Sequence, residues 1–418
     1  MADPLSFSRA TIAGAGLAGL SAAVALVEAG VPVTIAEAAA QAGGRCRSYH
    51  DPQLGLTIDN GNHLVLSGNP AVARFRENVG ATTPLAGPDH ADFTFHDLKQ
   101  GSRWTVRMND GVIPWWVAVP ARRVPGTRVA DYVPLARLLA KQEGRIDAGI
   151  ETQGRVWSHL IEPILLAALN TAPAEGSSLL AANVFRETVA KGGRAMRPRI
   201  AEPSLGAAFI EPALAWLDAR ATPVTLGRRL RAMTFDGDRV TGLDWGGSVE
   251  PVEAGEAVIL AVPPWVATAL VPDLVAPDDF RAIVNGHFAF PAPADAPAML
   301  GLFGGTAEWV FAFPDRLSVT VSAADHVVDQ DRESLAEIFW ADICAALSID
   351  APMPSWQIVK EKRATFAATP EQNAKRPPAA TRWRNLFLAG DWTDTGLPAT
   401  IEGALRSGET VARRVMAG

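Results

Sequence analysis

Apolar positions in the first part of the chain change period twice. A short continuous run around Ala10–Ala13 reads as a buried strand. Leu17–Ala29 is rich in Ala, Leu and Val at helical spacing and stops at Gly30, a residue suited to a left-handed helix end. Val31, Val33 and Ile35 then alternate as a second strand that ends at Glu37. Together they predict a strand–helix–strand unit. Another strand is expected just before Asp59-Asn60-Gly61.

Beyond residue 76 the pattern loosens. Trp104, Trp115, Trp116, Val117 and Val119 stand among arginines and prolines, and helical spacing returns at Tyr132–Gln142 and Val156–Ala168. Val224–Leu226, Leu230–Phe235 and Arg239–Trp245 read as short strands, with Asp236-Gly237-Asp238 as the turn between the last two. Ala257–Val262 is a buried strand stopped by Pro263-Pro264. Strands at Trp309–Phe313 and Leu317–Val321 and a helix near Glu333–Leu347 follow. The last strand, Leu386–Ala389, leads into a helix from about Thr400 to Met416. The Pro-rich stretches 291–297 and 370–380 read as loops.

Composition narrows the classes. The chain has 418 residues, enough for two or three domains with sizeable cores. A net charge of −7 argues against a nucleic-acid partner. Two cysteines, Cys46 and Cys344, provide neither a disulfide framework nor a metal cluster, so no metal is expected and a reducing cytoplasm fits. Thr11–Val27 looks like a membrane span at first, but its glycines suit a strand–turn–helix better, and they suit a phosphate turn better than a signal-peptide cleavage site.

Those glycines carry the first chemical signal. In Gly14-Ala15-Gly16-Leu17-Ala18-Gly19, Gly14 permits a tight turn out of the strand. Gly16 lets the backbone approach a pyrophosphate, and Gly19 lets the helix pack closely on the sheet. The helix N-terminus then faces the phosphate charge. Glu37, with Ala38 beside it, ends the next strand, where a carboxylate can accept hydrogen bonds from both adenosine ribose hydroxyls and repels a 2′-phosphate. Gly43-Gly44-Arg45 suits a second backbone approach to the pyrophosphate, with Arg45 adding positive charge. Gly390-Asp391 lies between the last strand and the last helix. Its carboxylate can bind ribityl hydroxyls, and the helix start near Thr400-Ile401 can place amides by flavin N1 and O2. Glu402 reads as an ordinary first-turn helix acid. The two motifs serve opposite ends of one cofactor and predict FAD. The domains are therefore expected to be discontinuous: 1–75, 205–275 and 375–418 for the cofactor, and 76–204 with 276–374 for substrate and membrane contact.

These residues resemble the amine oxidase and carotenoid desaturase superfamily of FAD enzymes. The resemblance is specific over 14–63 and 386–408 and implies a Rossmann-like α/β cofactor domain with an inserted α+β substrate domain. In that superfamily a Val-rich strand passes the adenine; Val224-Thr225-Leu226-Gly227-Arg228-Arg229-Leu230 is similar to it, which implies a backbone contact from Leu230. Asp59-Asn60-Gly61-Asn62-His63, Arg197-Pro198, Leu205-Gly206, Trp309-Val310-Phe311 and Asp391–Pro398 resemble the hydroxysqualene dehydroxylase branch. Members often carry Gln where Asn62 stands. The resemblance implies that Gly61, Asn62 and His63 line the flavin. It also implies a C30 isoprenoid substrate that loses an allylic hydroxyl to a hydride from reduced FAD, in hopanoid synthesis.

Proton donation to that hydroxyl and a pocket of low polarity would favour such a reaction. His63 is the best-placed ionisable candidate, with a structural, hydrogen-bonded histidine as the plainer reading. Cys46 reads as a small packing residue. No Cys, His or Tyr follows Cys344, so FAD is expected to be noncovalent. Trp115-Trp116 followed by Arg122-Arg123 either dips into an anionic bilayer or buries a Trp pair beside solvated arginines. An insoluble substrate favours the membrane, giving a cytoplasmic protein bound peripherally to the inner face of the cytoplasmic membrane. The electron donor is not legible. Alternatives are a desaturase using oxidised FAD, an amine oxidase, disfavoured by having only Tyr49 and Tyr132, and a noncatalytic prenyl-binding escort protein.

Overall fold

A strand buried at four of its five positions, Arg9–Ala13, forms the centre of the first layer. In this computed structural model, which describes residues 7–139 and 143–418, that strand pairs in parallel with Val33–Ala36 and Glu256–Leu260. Val224–Thr225 and Leu386–Leu388 complete a five-stranded parallel sheet at its two edges. Glu256–Leu260 is buried at every position, as expected of a parallel strand covered on both faces. The helix Leu17–Glu28 crosses from the first strand to the second, and the helix Ile401–Ala417 packs on it. At that crossing a Cβ on Gly408 would lie 2.4 Å from the Ala18 carbonyl oxygen, so glycine sets how closely the helices meet. The Ser21 hydroxyl donates to the Leu405 carbonyl at 2.8 Å across the same contact.

A seven-stranded sheet builds the second layer, in the spatial order 356–366, 280–288, 317–321, 309–312, 299–303, 91–97, 102–108. Segments far apart in sequence meet here: Leu300–Phe303 pairs in parallel with Thr94–Asp97. Period-2 alternation gives the sheet two different faces. Val284, Val310, Val319 and Ile358 pack against Leu335, Phe339 and Ile343 of the helix Arg332–Leu347. The opposite face carries Phe95, Trp309 and Phe311 in another apolar cluster, with Asn285, Ser318 and Thr320 beside them. A smaller sheet joins Leu64–Leu66 to Pro198–Ala201 and on to Leu85–Ala86, tying residues before 75 to the segment that ends near 204.

Most of the expected elements occur within a residue or two of their anticipated ends. Tyr132–Gln142 is different. Val129–Leu139 forms 3-10 turns around Pro134, whose ring and missing N–H are incompatible with an α-helical interior, and residues 140–142 lie outside the described residues. No helix among the described residues is long and apolar enough to cross a membrane.

Candidate active site

The phosphate turn follows from local backbone demands. Gly14 has φ +107°, and a Cβ there would sit 2.3 Å from the Ala261 carbonyl oxygen. A Cβ on Gly19 would lie 2.0 Å from the Gly14 carbonyl oxygen. Gly16 differs: it caps the helix, and a Cβ on it would meet nothing within 4 Å. The space beside it is open. Leu17 and Ala18 are buried and hold the helix start on the sheet. Gly43 and Gly44, with φ of +107° and +55°, bring a second backbone segment alongside. The Gly43 amide donates to the Ala15 carbonyl at 2.8 Å, and a Cβ on Gly44 would come within 3.5 Å of the Gly16 Cα.

Glu37 supports this turn directly. Its carboxylate accepts hydrogen bonds from the Ala15 amide and the Ala39 amide, both at 2.8 Å, while Ala38 is exposed between them. A carboxylate has about four acceptor positions, so room remains for hydroxyl donors. The segment leading to Leu230 runs beside Glu37: the Arg228 amide donates to the Glu37 carbonyl at 2.8 Å and the Gly227 amide to the Ala39 carbonyl at 3.0 Å.

Arg45 and Asp391 meet across the two distant motifs. The guanidinium donates to the Asp391 carboxylate at 2.6 Å and to the Ala364 carbonyl at 2.6 Å. Burial works against the Arg45 charge, but Asp391 more than offsets it and the pKa rises. Arg45 was expected to add positive charge at a pyrophosphate; here a buried carboxylate also pins it. The Arg45 side chain is still 43% exposed, and with Asp391 it lines a recess walled by Trp265, Phe280, Arg363 and Trp392. Open space at Gly16, an exposed Gly44 and this recess fit an extended dinucleotide with an aromatic end group.

Gly390 reaches Asp391 with φ +156°, and a Cβ on it would strike the Trp392 indole nitrogen at 2.4 Å. The Thr400 hydroxyl caps the last helix by accepting from the Gly403 amide at 3.0 Å, and Ile401 is buried behind it. Glu402 does more than the sequence suggested. It is 3% exposed, accepts from the Ala71 and Val72 amides at 3.0 Å, and pairs with Arg406. It therefore caps a different helix, Pro70–Asn78, while also sitting in the first turn of its own.

The segment 61–63 lies between the two layers. The Asn62 side-chain amide donates to the Val319 carbonyl at 3.2 Å and the Thr320 hydroxyl at 3.1 Å; its backbone amide donates to Asn285 at 3.3 Å. A Cβ on Gly61 would meet the Asn285 amide nitrogen at 3.0 Å. His63 Nδ1 lies 2.9 Å from the Gly61 carbonyl, which assigns the ring proton to Nδ1 and leaves Nε2 as an acceptor. Burial pushes the His63 pKa down, and the Arg45 charge pushes the same way. A ring whose Nδ1 proton is committed to a carbonyl and whose charged form burial disfavours is poorly set up as a general acid, and the geometry matches the structural reading of His63. Burial likewise pushes the Cys46 thiol up to about 12, which keeps it an inert packing group.

Sequence reading missed Arg376, which lies in a stretch taken for a Pro-rich loop. It is 6% exposed and donates to the Asp391 carbonyl at 3.0 Å and the Thr395 hydroxyl at 2.9 Å, so it fixes the loop that carries Asp391. Burial lowers its pKa to about 10, and it stays charged at neutral pH. The absence of an acid neighbour in sequence hid this role. Asn285 and Glu308 were also missed, because only sheet pairing brings them towards residues 61–63.

Comparison with known proteins agrees with this geometry. Residues 17–416 match the family described as flavin containing amine oxidoreductase. The hydroxysqualene dehydroxylase of Rhodopseudomonas palustris is 51% identical over 97% of this chain and 98% of its own length. That of Zymomonas mobilis is 47% identical over 96% and 97%. Among solved structures, cyclohexylamine oxidase from Brevibacterium oxydans superposes with a TM-score of 0.72 over 98% of this chain and 99% of its own, at 16% identity, a likeness of fold. The protein is a flavin-dependent oxidoreductase. A nearly full-length match to the dehydroxylases, on a fold whose paired glycine turns and Arg45–Asp391 clasp suit a flavin dinucleotide, places the chain in the hydroxysqualene dehydroxylase family of the flavin containing amine oxidoreductases.

Proposed function

We propose that this enzyme removes the hydroxyl of hydroxysqualene reductively to give squalene, in hopanoid synthesis, using noncovalent FAD. The observation that carries the reading is an apolar cavity of about 430 Å³ on the sheet face that meets residues 61–63, walled by Phe95, Leu166, Leu302, Phe303 and Trp309. Its size falls in the range of about 300–1,000 Å³ usual for small-molecule sites. Likeness to the dehydroxylases selects the substrate.

The cofactor assignment uses Gly14, Ala15, Gly16, Leu17, Ala18, Gly19, Gly43 and Gly44 at the pyrophosphate, and Glu37, Ala38 and Leu230 at the adenosine. Arg45 adds positive charge near the pyrophosphate, and Gly390, Asp391, Thr400, Ile401 and the segment Gly61–His63 serve the flavin end. Reduced flavin supplies a hydride equivalent when bound. The chain's own work is to clasp the two halves of the site through Arg45 and Asp391, to orient 61–63 through Asn62 and Asn285, and to keep water from the apolar cavity. The division into a cofactor unit (1–75, 205–275, 375–418) and a substrate unit (76–204, 276–374) rests on the parallel sheet, whose five strands all come from the first set. Peripheral attachment to an anionic membrane surface would let a water-insoluble substrate reach the cavity.

Anaerobic single turnover tests the reaction. Reduced enzyme mixed with hydroxysqualene should form squalene one for one with flavin reoxidation. Reoxidation without squalene, or a product with additional double bonds and its oxygen retained, would overturn the reading. Acid precipitation should release FAD into the supernatant; flavin retained in the pellet would contradict noncovalent binding.

A further inference from the structure

We propose that Glu308 is the acid that protonates the departing hydroxyl, an inference that rests on the dehydroxylation reading above. Glu308 lines the cavity together with Phe95, Phe303 and Trp309. Its position is set by sheet pairing. The Glu308 amide donates to the Thr320 carbonyl at 3.2 Å, and the Thr320 hydroxyl accepts from the Asn62 side chain at 3.1 Å. The Glu308 backbone thus stands one strand spacing, about 4.8 Å, from the backbone of the strand that anchors residues 61–63. One carboxyl oxygen accepts from the Ser322 amide at 2.8 Å, which orients the group. Burial pushes its pKa up to about 7, and no cation counters that effect. A carboxyl group that keeps its proton near neutral pH inside an apolar cavity suits general-acid work.

The other ionisable groups around the cavity are less suited. His159 stacks on Phe303 and lies tilted against Trp104, and burial lowers its pKa, which disfavours the imidazolium that an acid would need. Asp97 is engaged by the Lys99 and Gln100 amides at 3.0 Å. Asp342 accepts from the Thr306 and Ala307 amides at 2.7 and 2.8 Å, and the Lys99 stem packs at Gly304. Glu162 lines the same cavity and also has a pKa raised by burial, but among the described residues no hydrogen bond orients its carboxyl group as the Ser322 amide orients that of Glu308. In the step assigned to Glu308, its proton passes to the allylic oxygen and the C–O bond breaks. Water leaves and Glu308 is left as carboxylate, and the carbon would take the hydride equivalent that reduced flavin supplies when bound. Bulk water returns its proton between turnovers.

The test uses flavin-loaded enzyme. In the parent, the single-turnover rate should fall as pH rises through about 7, because the acid must be protonated to act. Infrared difference spectra should show a protonated carboxyl band that titrates in the same range. Glu308→Gln should lose that band and the alkaline limb, and should form squalene about 10²-fold more slowly or worse. Its flavin content and its spectral response to hydroxysqualene should match the parent. A parent rate and pH profile in Glu308→Gln would overturn the assignment, as would a carboxyl band and alkaline limb that vanish in Glu162→Gln instead. If the variant fails to fold, the parent's profile decides: a rate and carboxyl band that do not change between pH 6 and 8 reject the proposal. A parent that forms no squalene would sink the dehydroxylation reading itself, and this proposal with it. A parent that turns over while Glu308→Gln is unaffected sinks this proposal alone.

Discussion

Asp59 shows how one residue type takes different values from its surroundings. The sequence placed it at the end of a strand leading to the flavin segment. The structure buries it to 3% exposure, where it accepts from the Ser48 hydroxyl at 2.5 Å and the Leu205 amide at 2.9 Å. Burial raises its pKa from 3.8 to about 6 despite those bonds and the nearby Arg316 charge. The folded chain therefore holds this proton up to about pH 6, whereas the unfolded chain releases it near 3.8. Stability falls as pH rises between those values, and the loss is complete above them, at roughly 3 kcal/mol. Asp59→Asn keeps an acceptor for both donors and removes the charge. It should melt above the parent at pH 8 and lose that advantage as pH falls to 4, in thermal scans at matched flavin content. An advantage that grows on acidification would contradict the burial argument. Asp59 could be placed near the site from its neighbours in sequence, but its protonation state could not, because the balance between burial, which raises its pKa, and Leu205 and Arg316, which lower it, is set by segments far along the chain.

At the scale of elements, hydrophobic period and glycine placement went far. The strand–helix–strand unit and the last strand and helix formed close to their expected bounds, because each carries its own pattern and its own stop. What the pattern lacks is the partner. Gly408 by itself weakens a helix, yet a Cβ there would lie 2.4 Å from the Ala18 carbonyl oxygen and 2.7 Å from the Ser21 Cβ. Gly408→Val should lower stability by about 1–3 kcal/mol through overpacking. Both helices begin at the candidate cofactor site, so flavin retention through gel filtration should fall as well. A variant with parent melting point and parent flavin content would show that this crossing has slack. Glu402 teaches the same lesson, since its carboxylate caps the helix Pro70–Asn78 from another element. Removing such a cap costs about 0.5–2 kcal/mol. Only the packing of the last helix against that one creates the cap.

At the scale of the whole molecule, the Trp115-Trp116 pair separates. Trp116 is 6% exposed and packs edge-on to Tyr132 at 5.3 Å, so it belongs to the core. Trp115 is 51% exposed, beside Ile113 at 74% and Val112 at 65%, with Arg122 4.8 Å above its ring. The apolar side chains exposed in this region are Val112, Ile113, Trp115 and Val133, and the proposed membrane contact would fall on them. Vesicle flotation should need anionic lipid and should drop several-fold in Ile113→Asp with Trp115→Ala, without loss of melting temperature. Unchanged flotation would remove this patch from any interface. The sequence by itself determined the glycine turns, Glu37 at its strand end, Asp391 before the last helix and the resemblance they carry. Each is a local backbone or charge requirement, written in consecutive residues. Tertiary structure alone decided that Arg45 is clasped by Asp391, that Arg376 holds the loop behind it, and that Glu308 stands over an apolar cavity beside the strand that anchors Asn62. Burial and pairing between distant segments set those charges and positions, and neither is written in the order of neighbouring residues.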